Sequence, residues 1–154
     1  MLDRHRLEAV LIRNAAAAIQ GVPITTIDMD FYFRRTPANL RKLAAMAKEM
    51  EATVMQPFYP ASGMFRISRK RDGLQIDFMS EISGVRSFEG LRRRFTAVRF
   101  GGVNLRVASL ADIIRSKRAA GRPQDAAVLP LLEETREELA RQQKGSTGGS
   151  QERK

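Results

Sequence analysis

The sequence predicts a mixed α+β fold, one domain in which helices flank a single mixed sheet. Three observations predict it. Apolar residues alternate with a period of two around 27–33 and 74–79, and they recur at helical spacing around 40–47 and 110–117. The two kinds of segment interleave along the chain. The length of 154 residues, with 43% hydrophobic and 29% charged residues, is that of one ordinary globular domain.

Taken in order, only about nine residues precede the first apolar run, so any helix at the start of the chain is minimal or missing. Val10-Leu11-Ile12 fits a short buried strand, and Ala15 to Ile19 favour helix through alanine propensity. Gly21-Val22-Pro23 interrupts the chain. From Ile24 to Phe33 the pattern is that of a half-buried strand, with Ile27, Met29, Phe31 and Phe33 on one face and Asp28, Asp30 and Tyr32 on the other. Thr36-Pro37 supplies a hydroxyl N-cap and a first-turn proline, and Leu40, Leu43, Ala44 and Ala47 form the stripe behind them.

Residues 53–58 read as a short strand before the Tyr59-Pro60-Ala61-Ser62-Gly63 turn. Met64–Ser68 and Leu74–Met79 read as two strands joined by a charged turn. Ser87 to Phe95 predicts a short basic helix. Gly101-Gly102 signals a hairpin between Val98–Phe100 and Val103–Val107. Ser109 caps another helix, with Asp112 three residues on. A last helical region runs from about Arg122 to Gln142, and Pro130 within it predicts a kink or a break. The organisation expected is a domain over 1–142 and a disordered basic tail over 143–154, where Gly, Ser and Thr leave nothing to bury.

Composition excludes several chemistries. There is no cysteine, which removes thiolate nucleophiles and cysteine-ligated metal sites, and the single histidine, His5, argues against a Ser-His-Asp triad and a multi-histidine metal centre. Tryptophan is absent and aromatics are 6%, which argues against a base-stacking single-strand binder. No apolar run is long enough for a membrane span, and Asp3 and Glu8 are out of place in a secretory leader, so a soluble cytoplasmic protein is expected. The formal charge of +10 favours polyanionic or acidic partners.

What remains for chemistry is carboxylate, lysine, arginine and hydroxyl. Asp28 and Asp30, two apart on a strand, project from one face about 6.5 Å from each other, close enough to converge on one Mg²⁺ or on a metal pair. Asp77 has the same character on its own strand. Three solvent-facing aspartates on an open sheet would read alike. Lys117 ends the stripe of Leu110, Ile113 and Ile114, either snorkelling to water or aimed at a polyanion such as a triphosphate. Arg122-Pro123-Gln124-Asp125 fits plain helix initiation. Arg92, Arg93 and Arg94 offer a phosphate-contacting patch for RNA, or a solvated face.

In order, Asn14-Ala15-Ala16-Ala17-Ala18, Gly21-Val22-Pro23, Thr26-Ile27-Asp28-Met29-Asp30, Asn39-Leu40, Gln75-Ile76-Asp77-Phe78, Val107 to Ile114, Lys117, Gly121-Arg122-Pro123 and Asp125 resemble the nucleotidyltransferase superfamily. The resemblance spans about Leu11 to Leu132. It is nearest to the small bacterial nucleotidyltransferase-like proteins related to abortive-infection and type IV toxin–antitoxin nucleotidyltransferases. It implies a nucleotidyltransferase-like mixed sheet flanked by helices, with Asp28 and Asp30 as a metal pair and Asp77 as third carboxylate, bridging the metal or activating the acceptor. Lys117 and Asp125 match the later motifs of the toxin-like branch, where a lysine contacts the triphosphate and an aspartate shapes the pocket.

The reaction implied is Mg²⁺- or Mn²⁺-dependent transfer of a nucleoside monophosphate from an NTP such as ATP to a hydroxyl of RNA, protein or a small molecule. Arg13, Asn14 and Thr26 then belong to the nucleotide site. The sequence departs from the family where Arg13-Asn14 stands in place of the usual Gly-Gly, Gly-Ser or Gly-Asn pair. That glycine lets backbone approach the phosphates. Its replacement raises a second expectation, a catalytically degenerate binding or regulatory module, the partner half of a toxin–antitoxin pair. A protein partner or a homodimer would cover apolar surface left by so few helices.

Overall fold

The computed structural model describes residues 1–148. Its elements are α1 (Leu2–His5), β1 (Ala9–Ile12), α2 (Arg13–Ile19), β2 (Met29–Phe33), α3 (Pro37–Glu49), β3 (Thr53–Met55), β4 (Phe65–Arg69), β5 (Leu74–Met79), α4 (Phe88–Arg93), β6 (Thr96–Phe100), β7 (Val103–Val107), α5 (Leu110–Ala120) and α6 (Pro123–Gly148). The strands form one mixed seven-stranded sheet in the order β3-β4-β5-β2-β1-β7-β6. β2 lies antiparallel to β1 and parallel to β5, and β1 lies parallel to β7. The expected α+β class is therefore the observed one.

The sheet carries helices on both faces, which changes the reading of β2. Its half-buried alternation holds only in part. β2 begins at Met29, later than the alternation from Ile24 suggests, and Ile27 is 94% exposed. Tyr32, expected on the polar face, is buried like Phe31 and Phe33, because β2 is the central strand and α4 covers the face that Tyr32 shares with Asp30. On the other face Phe31 stacks on Phe78 with centroids 5.4 Å apart, and Phe33 meets Phe65 and Phe78 edge-on.

Local signals are satisfied where expected. The Thr36 hydroxyl accepts a bond from the Asn39 N–H at 3.2 Å, with Pro37 in the first turn of α3. Asn39, fully buried, also accepts from the Glu8 N–H and donates to the Glu8 and Arg34 carbonyls, fastening α3 to the start of β1 and the end of β2. Gly101 and Gly102 both have positive φ, 57° and 78°, as a two-residue turn matching the sheet's twist requires. The Ser109 hydroxyl caps α5 by accepting from the Asp112 N–H at 3.1 Å.

Three expectations change. The last helical region is one unbroken helix across Pro130 and continues past Lys144 to Gly148. The rest of the expected tail, 149–154, lies outside the described residues. The strand expected over 53–58 stops at Met55. No helix among the described residues is long and apolar enough to cross a membrane.

Candidate active site

β1 ends at Ile12, which faces Asp30 across the antiparallel pair. The chain turns there directly into α2, and Arg13 takes φ 59°, a left-handed conformation that a glycine adopts freely and an arginine does not. This is the position where the family resemblance expects a glycine. Comparing two variants isolates the strain: Arg13→Gly should be more stable than Arg13→Ala by about 1 kcal/mol in urea unfolding, since only glycine relieves the conformation.

Asn14 follows in the first turn of α2. Its Oδ1 is buried and accepts no bond, an orphan acceptor whose desolvation costs about 1–3 kcal/mol unless a ligand or water meets it. Thr26 and Asp28 lie on the extended segment before β2, where the Asp28 N–H donates to the Thr26 hydroxyl at 3.2 Å. Lys117 comes from α5, and Arg122, Gln124 and Asp125 from the start of α6.

These segments enclose a cavity of about 200 Å³. Arg13, Asn14, Thr26, Asp28, Asp30, Lys117 and Asp125 all line it, so every residue singled out for the site except Asp77 converges there. Arg122 and Gln124 complete the wall, and plain helix initiation had been an adequate reading of both.

Asp77 pairs in register with Asp30 on the adjacent parallel strand. Both of its oxygens are engaged by Arg66 of β4, whose Nε donates at 2.7 Å and Nη2 at 3.1 Å. Arg66 was missed in the sequence. Its signal is the β4–β5 hairpin, in which Arg69 pairs with Leu74 and Arg66 therefore falls opposite Asp77. The Arg66 guanidinium also lies over the Phe58 ring, 5.7 Å from its centroid. The three aspartates do not form a ready metal cluster: no group of three or more acidic or histidine side chains among the described residues is disposed to hold a metal ion.

Two carboxyls of the site are shifted in opposite directions. Burial pushes the Asp30 carboxyl above its ordinary range, the Arg13 guanidinium 3.8 Å away pulls it down, and the neighbouring Asp77 and Asp28 push it up again. Asp125 is the opposite case. Burial opposes its ionisation, but bonds from Arg122 at 2.7 Å and Lys117 at 3.2 Å prevail and hold it below the usual carboxylate range. The Lys117 ammonium keeps two further donors, so its pairing with Asp125 fixes it in the cavity wall without exhausting it.

The arginine run at 92–94 is not an open cationic strip. Arg92 pairs with Glu8 at 3.2 Å and Arg94 forks onto buried Asp112, leaving Arg93 as the member of the run without a carboxylate partner among the described residues. His5, near the terminus, is bonded to Glu49.

Solved structures share this architecture. A candidate nucleotidyltransferase from Thermotoga maritima, TM1012, superposes with a TM-score of 0.61 at 20% identity over 84% of this chain and 83% of its own. The lincosamide antibiotic adenylyltransferase LnuA, solved with lincomycin bound, gives 0.58 at 11% identity over 86% and 89%. ANT(2")-Ia, solved with adenylyl-2"-tobramycin, gives 0.57 at 15% identity over 85% and 80%. No family model matches the sequence, and neither does any curated protein. At these identities the likeness establishes a nucleotidyltransferase fold.

Proposed function

We propose that this chain transfers a nucleoside monophosphate from an NTP to a hydroxyl acceptor. The observation that carries the reading is the convergence of Asn14, Thr26, Asp28, Asp30, Lys117 and Asp125, from four separate stretches of chain, on one cavity beside the end of β1. That the fold is one adenylyltransferases use supports it.

The donor set fits Mg²⁺ or Mn²⁺ carried in on the nucleotide. Asp28 and Asp30 provide hard oxygens only, the ligand type such an ion takes, and it needs few protein ligands when it arrives with phosphate oxygens and water. Asp28 and Asp30 would hold the ion, which neutralises phosphate charge when bound. Lys117 and Arg122, both fixed by Asp125, bind the triphosphate. Asn14 and Thr26 present polar groups to its sugar–phosphate. The acceptor oxygen attacks the α-phosphorus, the bond from that phosphorus to the bridging oxygen breaks, and pyrophosphate leaves. Asp77 takes the hydroxyl proton, which requires Arg66 to give up one of its two bonds. Positioning and charge neutralisation supply most of the rate.

The test is transfer of label from each α-³²P-NTP with Mg²⁺ or Mn²⁺, using total RNA, the protein itself and small hydroxyl compounds as acceptors. An Asp28→Asn, Asp30→Asn double variant runs alongside. Label that vanishes in the double variant supports the reading, and label that persists there removes the carboxylates from it.

One observation favours a second reading. Arg13 holds its guanidinium at ion-pair distance from Asp30, and Arg66 occupies Asp77, as in a pocket that no longer turns over. The chain would then act as a binding or regulatory module, such as a toxin–antitoxin component. Calorimetry of Mg²⁺–ATP separates the two: binding by wild type favours the enzyme, and no binding by either wild type or Arg13→Gly favours the module.

A further inference from the structure

Two arginines follow β2, and they are held in different ways. Arg34 pairs with Glu8 and Glu89. Arg35 has no carboxylate at ion-pair distance among the described residues. Packing fixes its guanidinium, which lies 5.4 Å from the Phe65 ring centroid. It also lies so close over Gly63 that a Cβ there would come within 2.3 Å of Nη1. A guanidinium set between a ring and a bare glycine, with no counter-charge, is an anion site prepared in advance.

That guanidinium borders a second cavity of about 360 Å³, polar in character, whose wall includes Ser62, Ser80, Glu81 and Arg13. Arg13 also lines the nucleotide cavity, so the two spaces adjoin at its side chain. Met79, in the same wall, lies two residues beyond Asp77 on β5 and therefore on the same face of the sheet. The second cavity shares Arg13 with the nucleotide cavity, but neither Lys117 nor Asp125 lines it. Its volume suits a small molecule. Arg13 keeps Asp30 at 3.8 Å on its other side, Arg35 has no such partner, and Glu81, the one carboxylate in this wall, is exposed at the rim.

We infer that this second cavity is the acceptor subsite, and that the acceptor is a small hydroxyl compound carrying a phosphate or carboxylate group held between Arg35 and Arg13. Calling the bound molecule an acceptor rests on the nucleotidyl-transfer reading, but the anion site does not. Anchored by its anionic end, the acceptor turns its hydroxyl toward the α-phosphorus beside Asp30 and Asp77. Arg13 then touches both reactants, which gives a use for an arginine at a position where the family resemblance expects glycine.

The test is a titration of ¹⁵N-labelled protein followed by NMR, without nucleotide or metal. The probes are glycerol 3-phosphate, glycerate and, as the neutral control, glycerol. Glycerol 3-phosphate should give saturable shifts at the amides of Gly63 and Ser80 with a Kd on the order of 1 mM. Arg35→Met and Gly63→Ala should each weaken it by about tenfold. Glu81→Gln, which removes the one carboxylate that lines this cavity, should tighten it. Glycerate binding as well or better marks a carboxylate acceptor, and its failure marks a phosphate. Shifts confined to Lys117 and Arg122, no saturable shift at all, or an affinity unmoved by the Arg35 and Gly63 variants would overturn the subsite. Because no turnover is measured, loss of this site leaves the label-transfer result standing, and the reverse also holds.

Discussion

Asp30→Asn lowers nucleotidyl transfer by about a hundred- to a thousand-fold, the range expected when one charged group at the reacting phosphate is lost, and it leaves the fold as stable as before or more so. The two halves of that expectation have one cause. Asp30 is 9% exposed and lies beside Asp77 and near Asp28, so its charge is held at a cost that Arg13 only partly offsets. The sign follows. A carboxyl whose folded pKa is raised is destabilising at any pH above that pKa, and the cost disappears as the pH falls through it. Urea unfolding should therefore show the variant matching or exceeding wild type at pH 7, with any advantage shrinking as the pH is lowered to about 4. A variant that loses stability together with activity would assign Asp30 to the architecture instead. Asp28→Asn makes a useful companion, because Asp28 is exposed and precedes the strand, so it should lose activity with no change in stability.

How much of this could be read in advance depended on the range of the interaction. Signals confined to a few residues were legible: the Thr36-Pro37 start, the Ser109 cap, the paired glycines of the β6–β7 turn and the alternation in β5. Asp28, Asp30, Asn14, Lys117 and Asp125 were legible as a set because the order of motifs places them, although nothing local says that they meet. What was not legible was set by neighbours across the sheet. Tyr32 looks like a surface residue until α4 is laid over it. Arg66 looks like a surface arginine until the hairpin register sets it against Asp77. Arg34 and Arg35 are adjacent and chemically identical, yet one is neutralised by Glu8 and Glu89 and the other faces a cavity. Pro130 shows the limit from the other side, since a strong local signal for a break is overridden by a helix continuous from Pro123 to Gly148.

Asp125→Ala should be the most destabilising single change in the site. Lys117 is 7% and Asp125 2% exposed, and their bond at 3.2 Å joins the last turns of α5 to the first turn of α6 across Gly121, which caps α5 with φ 63°. Removing the carboxylate leaves an ammonium buried without its partner, which costs about 3–5 kcal/mol. For a chain of this size that is a fall of about 10 °C in Tm. Arg122, half exposed, can turn to solvent, but Lys117 cannot. The double variant Lys117→Met, Asp125→Leu removes both charges and should recover most of the loss, because an apolar pair of similar volume suits the same burial. It should still fail to transfer label, since the cation proposed to meet the triphosphate is gone. The pH dependence runs opposite to that of Asp30. A carboxyl held below its ordinary range stabilises the fold above the unfolded pKa of about 4, and that contribution is lost as the pH falls through the folded value. Acid unfolding of wild type should therefore include a component that both the Ala variant and the double variant lack. If the Ala variant melts with wild type, the pair serves the nucleotide alone, and the α5–α6 junction is held by apolar packing around Ile114 and Leu132.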